Sequence, residues 1–201
     1  MVRAEPWRGS PTATTRTQLM RLVRILRPSK ERDVFYDVGC GYARPCIWIA
    51  GRVKLAVGIE NFEPRYREAL RRVERSGLRN ITILKRSLEK ASYGDATMIY
   101  SVIALDFNFF RKVLAECMPG TVVALCYCPP YPMKSEKVGE YYLMRTPFER
   151  VKDEAEYAQI FTGRKKVTIE DVLDSLPRSQ RKYLKWEISH ADSNWKKLHF
   201  A

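Results

Sequence analysis

The chain has little of what staples small secreted domains or builds metal centres. Its five cysteines include no C-x-x-C pair, which excludes a zinc knuckle, and an odd count does not make a closed disulfide framework. Reduced thiols in an intracellular protein are the expectation. There are only two histidines, His190 and His199, both in the C-terminal stretch, where solvated surface positions are expected. Long apolar runs are missing as well. The stretch Ala96 to Leu105 is too short and too interrupted to span a bilayer, and Met1-Val-Arg-Ala-Glu-Pro-Trp7 lacks the apolar core of a signal peptide. A cytoplasmic or nucleoid-associated protein with no membrane partner is expected. Acidic residues are outnumbered, 23 against 36 Lys and Arg, for a formal charge of +13. Such a surplus attracts polyanions without specifying one. No internal repeat or low-complexity segment is present.

What is there is a rhythm of elements. Residues 1–15, with Pro6, Gly9, Pro11 and a threonine-rich end, read as an N-terminal arm without periodicity. From Arg16, Leu19, Leu22, Val23 and Leu26 recur at i, i+3, i+4 and i+7, and Pro28 closes an amphipathic helix. Five short apolar runs follow: Val34–Val38, Leu55–Glu60, Ile81–Leu84, Ala96–Ser101 and Thr121–Tyr127. Helices are expected between them at Pro45–Arg52, Glu63–Ser76 and Asn108–Cys117, with Gly77 and Pro119-Gly120 as stop signals. Alternation of this kind predicts an α/β fold, a parallel sheet with helices on both faces. Tyr141–Phe148 and Ala155–Thr162 then read as an antiparallel strand pair. The division expected is an arm at 1–15, a main α/β domain at 16–162 and a basic extension at 163–201. In the extension, Thr168-Ile-Glu-Asp171 has the form of a capping box, and Arg178–Lys185 is a basic stretch ending at Trp186.

Asp37-Val38-Gly39-Cys40-Gly41 falls where the first strand ends and a helix begins. Glycines there permit a tight turn and let a ligand approach bare backbone beside a helix N-terminus. Glu60, 19 residues beyond Gly41, ends the second strand, where a carboxylate accepts hydrogen bonds from a ribose diol. NAD and S-adenosylmethionine both suit that geometry. Asp37 favours the second, because a dinucleotide site keeps negative charge away from the pyrophosphate, whereas a sulfonium cofactor with a free ammonium welcomes a carboxylate.

With these residues the chain, from Thr14 to about Thr162, resembles the seven-strand S-adenosylmethionine-dependent methyltransferases, which have a Rossmann-like doubly wound sheet. Tyr36-Asp-Val-Gly-Cys-Gly-Tyr-Ala-Arg44 and Val57-Gly-Ile-Glu60, behind a short N-terminal helix, most resemble archaeal protein-lysine methyltransferases related to the Dot histone-lysine methyltransferases. The resemblance implies Thr14, Thr15 and Thr17 near the methionine moiety, and Asp37, Gly39, Gly41 and Arg44 around methionine and ribose. It implies Glu60 and Asn61 at the ribose, and Ser87 and Leu88 at adenine, where the family has an acid followed by an aromatic. Ala43 replaces a third glycine, a sterically mild change. The implied reaction is transfer of a methyl group to a deprotonated lysine on basic, DNA-associated proteins; an RNA methyltransferase, or a non-catalytic nucleic-acid-binding module on the same fold, is the alternative.

The acceptor is expected at the end of strand four, Tyr100-Ser101-Val102-Ile103-Ala104-Leu105, mostly apolar with two hydroxyls at Tyr100 and Ser101. That lining suits an alkylamine and lacks the paired polar groups that would hold a base. The segment Cys126-Tyr-Cys-Pro-Pro-Tyr-Pro132 looks like the Asn/Asp-Pro-Pro-Tyr of base-amino methyltransferases, but it follows strand five and places Cys128 where a carboxamide is needed. It reads as a rigid strand exit, with Tyr127 and Tyr131 as candidate walls of an acceptor channel. The basic tail, with Trp186 and Trp195, is a candidate for nonspecific nucleic-acid contact.

Overall fold

The computed structural model describes residues 14–199, so most of the N-terminal arm lies outside it. Helix α1 (Arg16–Leu26) starts at a complete capping box: Thr15 Oγ accepts the Gln18 N–H, and the Gln18 side chain accepts the Thr15 N–H. Then come β1 (Val34–Val38), α2 (Arg44–Ile49) with a single 3₁₀ turn at Ala50–Arg52, β2 (Leu55–Ile59), α3 (Glu63–Ser76) and β3 (Ile81–Leu84). They are followed by β4 (Met98–Ser101), α4 (Phe107–Glu116), β5 (Val122–Leu125), β6 (Glu136–Val138) and β7 (Tyr141–Arg145). Four helices close the chain: α5 (Glu154–Thr162), α6 (Ile169–Ser175), α7 (Arg178–Ser189) and α8 (Ala191–His199).

One seven-stranded sheet results, in the order β3-β2-β1-β4-β5-β7-β6. Its first five strands are parallel, and β7 and β6 run antiparallel beyond β5. The order reverses between β1 and β4, so the carboxyl ends of these two strands flank the crevice where doubly wound sheets take their ligands.

Strand alternation divides the core. Phe35, Met98, Tyr100, Val122, Ala124 and Tyr141 face one side, with Leu19 and Leu22 of α1 and Cys46 and Ile49 of α2. Val34, Tyr36, Val38, Ile99, Val123, Leu125 and Tyr142 face the other, beneath Phe109, Phe110 and Val113 of α4. Residues beyond 162 join that second cluster through Ile169, Val172, Leu173, Leu184, Ala191 and Leu198, and α8 packs on α4. Strands buried on both faces need near-continuous apolar sequence, which is why the central runs were recognisable.

The antiparallel pair exists, but not where the sequence suggests. Tyr141–Arg145 is a strand as expected; its partner is Glu136–Val138, and Ala155–Thr162 is helical. Asp153 caps that helix by accepting the Glu156 N–H at 2.8 Å, acidic Glu154 and Glu156 occupy its first turn, and Gly163 ends it in the left-handed region. These end signals outweigh the alternation of Ala155, Tyr157 and Gln159. The capping box at Thr168 and Asp171 is present at the start of α6.

Candidate functional site

The site begins at the β1–α2 turn. Gly39 adopts φ +79°, and a Cβ there would sit 3.2 Å from Ile103 Cδ1, so the turn needs both the conformation and the space of glycine. The Gly39 and Cys40 N–H groups donate to the Ile59 carbonyl at 3.0 and 2.9 Å, tying the turn to the end of β2. Gly41 is also left-handed, at φ +55°. Ala43, where a mild departure from glycine was expected, is itself left-handed at φ +57° and fully buried, so this turn carries backbone strain at a non-glycine residue.

Two carboxylates meet the turn. Glu60 accepts the Gly41 N–H through Oε2 at 3.0 Å and the Phe62 N–H through Oε1 at 2.8 Å, which clamps β2's exit against the glycine turn and fixes the side chain facing it. Asp37, 1% exposed, has among the described residues a single weak hydrogen-bond partner, the Cys46 thiol at 3.9 Å. Burial, reinforced by the charge of Glu60, pushes the Asp37 carboxyl up to about 8. Among the described residues no cation offsets that effect.

Asp37 lines a cleft of about 200 Å³ with Gly39, Cys40 and Gly41 on its floor. Thr14, Tyr42, Arg44, Pro45, Arg65 and Val102 complete the wall. Thr14 is anchored there by a hydrogen bond between its hydroxyl and that of Tyr100. Tyr100 is fully buried, stacks on Phe35 at 5.9 Å, meets Tyr141 edge-on at 6.1 Å and lies 3.7 Å from Cys126 Sγ.

No family model matches the chain. A protein named protein-lysine N-methyltransferase, from Saccharolobus islandicus (strain REY15A), is 33% identical over 108 residues, which is 51% of this chain and 66% of the relative. The chain thus spans slightly under two thirds of that relative's length. Among solved structures, an RNA methyltransferase from Salinibacter ruber superposes with a TM-score of 0.55 at 21% identity, covering 71% of this chain and 98% of that one. The YcgJ protein of Bacillus subtilis gives 0.50 at 12% identity over 55% of this chain and 50% of that one. The chain has the class I S-adenosylmethionine-dependent methyltransferase fold.

On this methyltransferase fold the expected residues fall into three groups. Thr14, Asp37, Gly39, Gly41 and Arg44 come together in the cleft, and Glu60 adjoins them through Gly41. Thr15 and Thr17 do not line it: Thr15 caps α1 and Thr17 is exposed on its first turn. Asn61 is exposed beside Phe62, whose ring is 57% exposed and carries the Arg65 guanidinium at 5.7 Å. Ser87 and Leu88 are not among the residues lining this cleft; Leu88 borders another hollow of about 530 Å³ with Asp106 and Phe109 of the α4 side.

The acceptor candidates also separate. Ser101 is a clasp: its hydroxyl accepts the Ile103 N–H at 3.1 Å and reaches the Val38 and Ile103 carbonyls at 3.3 and 3.1 Å. Tyr127 is buried just past β5, which pushes its hydroxyl up to about 12. Tyr131 belongs to the cluster on the opposite sheet face, edge-on to Tyr157 at 5.2 Å, and its N–H donates to buried Glu187 at 3.4 Å. The Cys126–Pro132 segment therefore packs against α5 and α7 before the chain returns to the sheet at β6. Val102, from the expected strand-four end, does line the cleft, whereas Arg65, which also lines it, was missed by motif reading; it lies five residues beyond Glu60, in the first turn of α3. Among the described residues no cluster of His, Cys, Asp and Glu could hold a metal ion.

Proposed function

We propose that the protein is an S-adenosylmethionine-dependent protein-lysine N-methyltransferase. The observation that carries the cofactor assignment is Asp37, a buried carboxylate with no cationic partner among the described residues, lining a cleft floored by bare glycine backbone. That donor set fits the cofactor. Asp37 would hold its ammonium, and Glu60, whose oxygens retain lone pairs after accepting two N–H groups, would take the ribose hydroxyls. Gly39 and Gly41 would let both parts approach the backbone. When bound, the cofactor supplies an electrophilic methyl on a sulfonium, which an amine lone pair takes in an in-line displacement.

The chain's own residues then have a modest task. Val102, just past the end of β4, and Thr14, held from behind by the buried Tyr100 hydroxyl, form part of the cleft wall. Apolar surroundings disfavour an ammonium, lower the acceptor amine's pKa and exclude water from the reacting atoms. Support for lysine as acceptor comes from the relative that bears that name.

Incubation with methyl-labelled cofactor and cell extract, followed by protease or nuclease digestion, tests the assignment. Label released by protease and recovered as methyl-lysine is expected; label released only by nuclease would overturn the lysine assignment in favour of RNA.

A further inference from the structure

Helix α7 is amphipathic in an unusual way. Leu184 and Glu187 are buried on its inner side, while the opposite side carries Arg178, Lys182, Lys185 and Trp186, all exposed. At 100° per residue Lys182 and Trp186 adjoin each other at i and i+4 in the middle of that outer face, with Arg178 and Lys185 beside them. None of the three cations has an ion-pair partner among the described residues. Elsewhere pairing is common: Arg72 meets Glu68 at 2.8 Å, Arg150 meets Asp192 at 2.5 Å, and Arg181 of α7 itself lies 3.6 Å from Asp174.

Trp186 is 47% exposed although it belongs to an aromatic ladder. Its ring stacks on exposed His190 with centroids 4.7 Å apart and planes at 24°, and Tyr183 follows on its other flank at 5.9 Å. A hydrogen-bond acceptor for His190 Nδ1 at the Trp186 carbonyl, 2.9 Å away, holds the histidine in the stack. Trp195 differs: it is half-buried against the core and serves packing. The structure thus distinguishes two tryptophans that composition alone leaves equivalent.

We infer that the outer face of α7 binds single-stranded nucleic acid, with bases extending the Trp186–His190 stack and Arg178, Lys182 and Lys185 neutralising phosphates. Aromatic faces beside unpaired cations are the pairing that single strands select, since every base offers a π-face and every linkage a charge. The inference is independent of the methyl acceptor.

Fluorescence anisotropy with labelled oligo(U) and oligo(dT), titrated with salt, tests it on the full chain. The wild type should bind one or both, with oligo(U) and oligo(dT) separating a ribose requirement from a simple single-strand one. Trp186→Ala should weaken binding roughly tenfold while Trp186→Phe retains most of it. The triple substitution Arg178→Gln, Lys182→Gln, Lys185→Gln should flatten the slope of log K against log salt by about two. Circular dichroism would confirm that these surface variants fold. Unchanged binding by Trp186→Ala, no binding by the wild type at low salt, or tryptophan emission that shifts with anionic vesicles but not with oligonucleotides would overturn it.

Discussion

Glu60 and Gly41, 19 residues apart in the chain, are joined by a 3.0 Å hydrogen bond from the Gly41 N–H to Oε2 of Glu60. The bond makes the Glu60 carboxylate part of the glycine turn, so the side chain proposed to hold the ribose also holds the turn beside the cleft.

Glu60→Ala should therefore fail in two ways. Loss of the two hydrogen bonds proposed to the ribose should cost on the order of 2–4 kcal/mol of cofactor affinity. Stranding the Gly41 and Phe62 N–H groups should also cost about 1–3 kcal/mol of stability. Glu60→Gln keeps acceptor capacity for one N–H and should recover part of the stability but little of the affinity. Calorimetric titration and urea unfolding separate the two effects.

Asp37 predicts a pH dependence. Its carboxyl stands at about 8 in the folded chain against an ordinary 3.8. The folded state therefore binds the proton more tightly. This contribution to stability is fully present below about pH 4 and is lost as pH rises towards about 8. Asp37→Asn should remove that slope and leave the cofactor-free protein more stable than the wild type near pH 8, by on the order of a few kcal/mol. The same variant should lose most affinity for a cationic ligand, whereas wild-type affinity should rise across that pH range. Melting temperatures from about pH 5 to about pH 8, with and without cofactor, provide the check.

Much of the fold was legible because its central strands are buried on both faces and the β1–α2 turn is chemically local. Asp37, Gly39 and Gly41 lie within five consecutive residues, and Glu60 ends the next strand. Where the outcome depended on ends rather than periodicity, sequence reasoning failed. Tyr157, Ala158, Ile160 and Phe161 suit a strand or a helix, and Asp153 and Gly163 decide for the helix. Strand β6, Glu136–Val138, escaped notice because an edge strand open to solvent has no apolar face to display. The Thr14–Tyr100 contact bridges 86 residues, a separation no local pattern encodes.

Gly58→Ala should destabilise sharply despite lying in an ordinary strand. A Cβ there would meet Cys40 Sγ at 2.7 Å and Ile83 Cδ1 at 2.8 Å, both in a packed core. Overpacking of this kind costs about 1–3 kcal/mol. Adding Ile83→Val should restore part of the loss, measured by thermal unfolding of the single and double variants.

Ser101→Ala tests the distinction between a clasp and a catalytic hydroxyl. Removing Oγ leaves the Ile103 N–H without its acceptor, at about 1–3 kcal/mol of stability. Methyl transfer should fall only as far as Val102 and Ile103 shift, with cofactor affinity nearly unchanged. A collapse in turnover of a thousandfold or more, with normal stability, would instead assign the hydroxyl to the chemistry.

The burial of Leu184, Ala191 and Leu198 against the same cluster as Phe109 and Val113 of α4 bears on how the chain is made. During synthesis the parallel strands emerge first, with the surface beneath α4 still bare. That surface is covered only once residue 198 has left the ribosome, so while α5 to α8 are being made the nascent chain carries an exposed apolar flank that chaperones can hold.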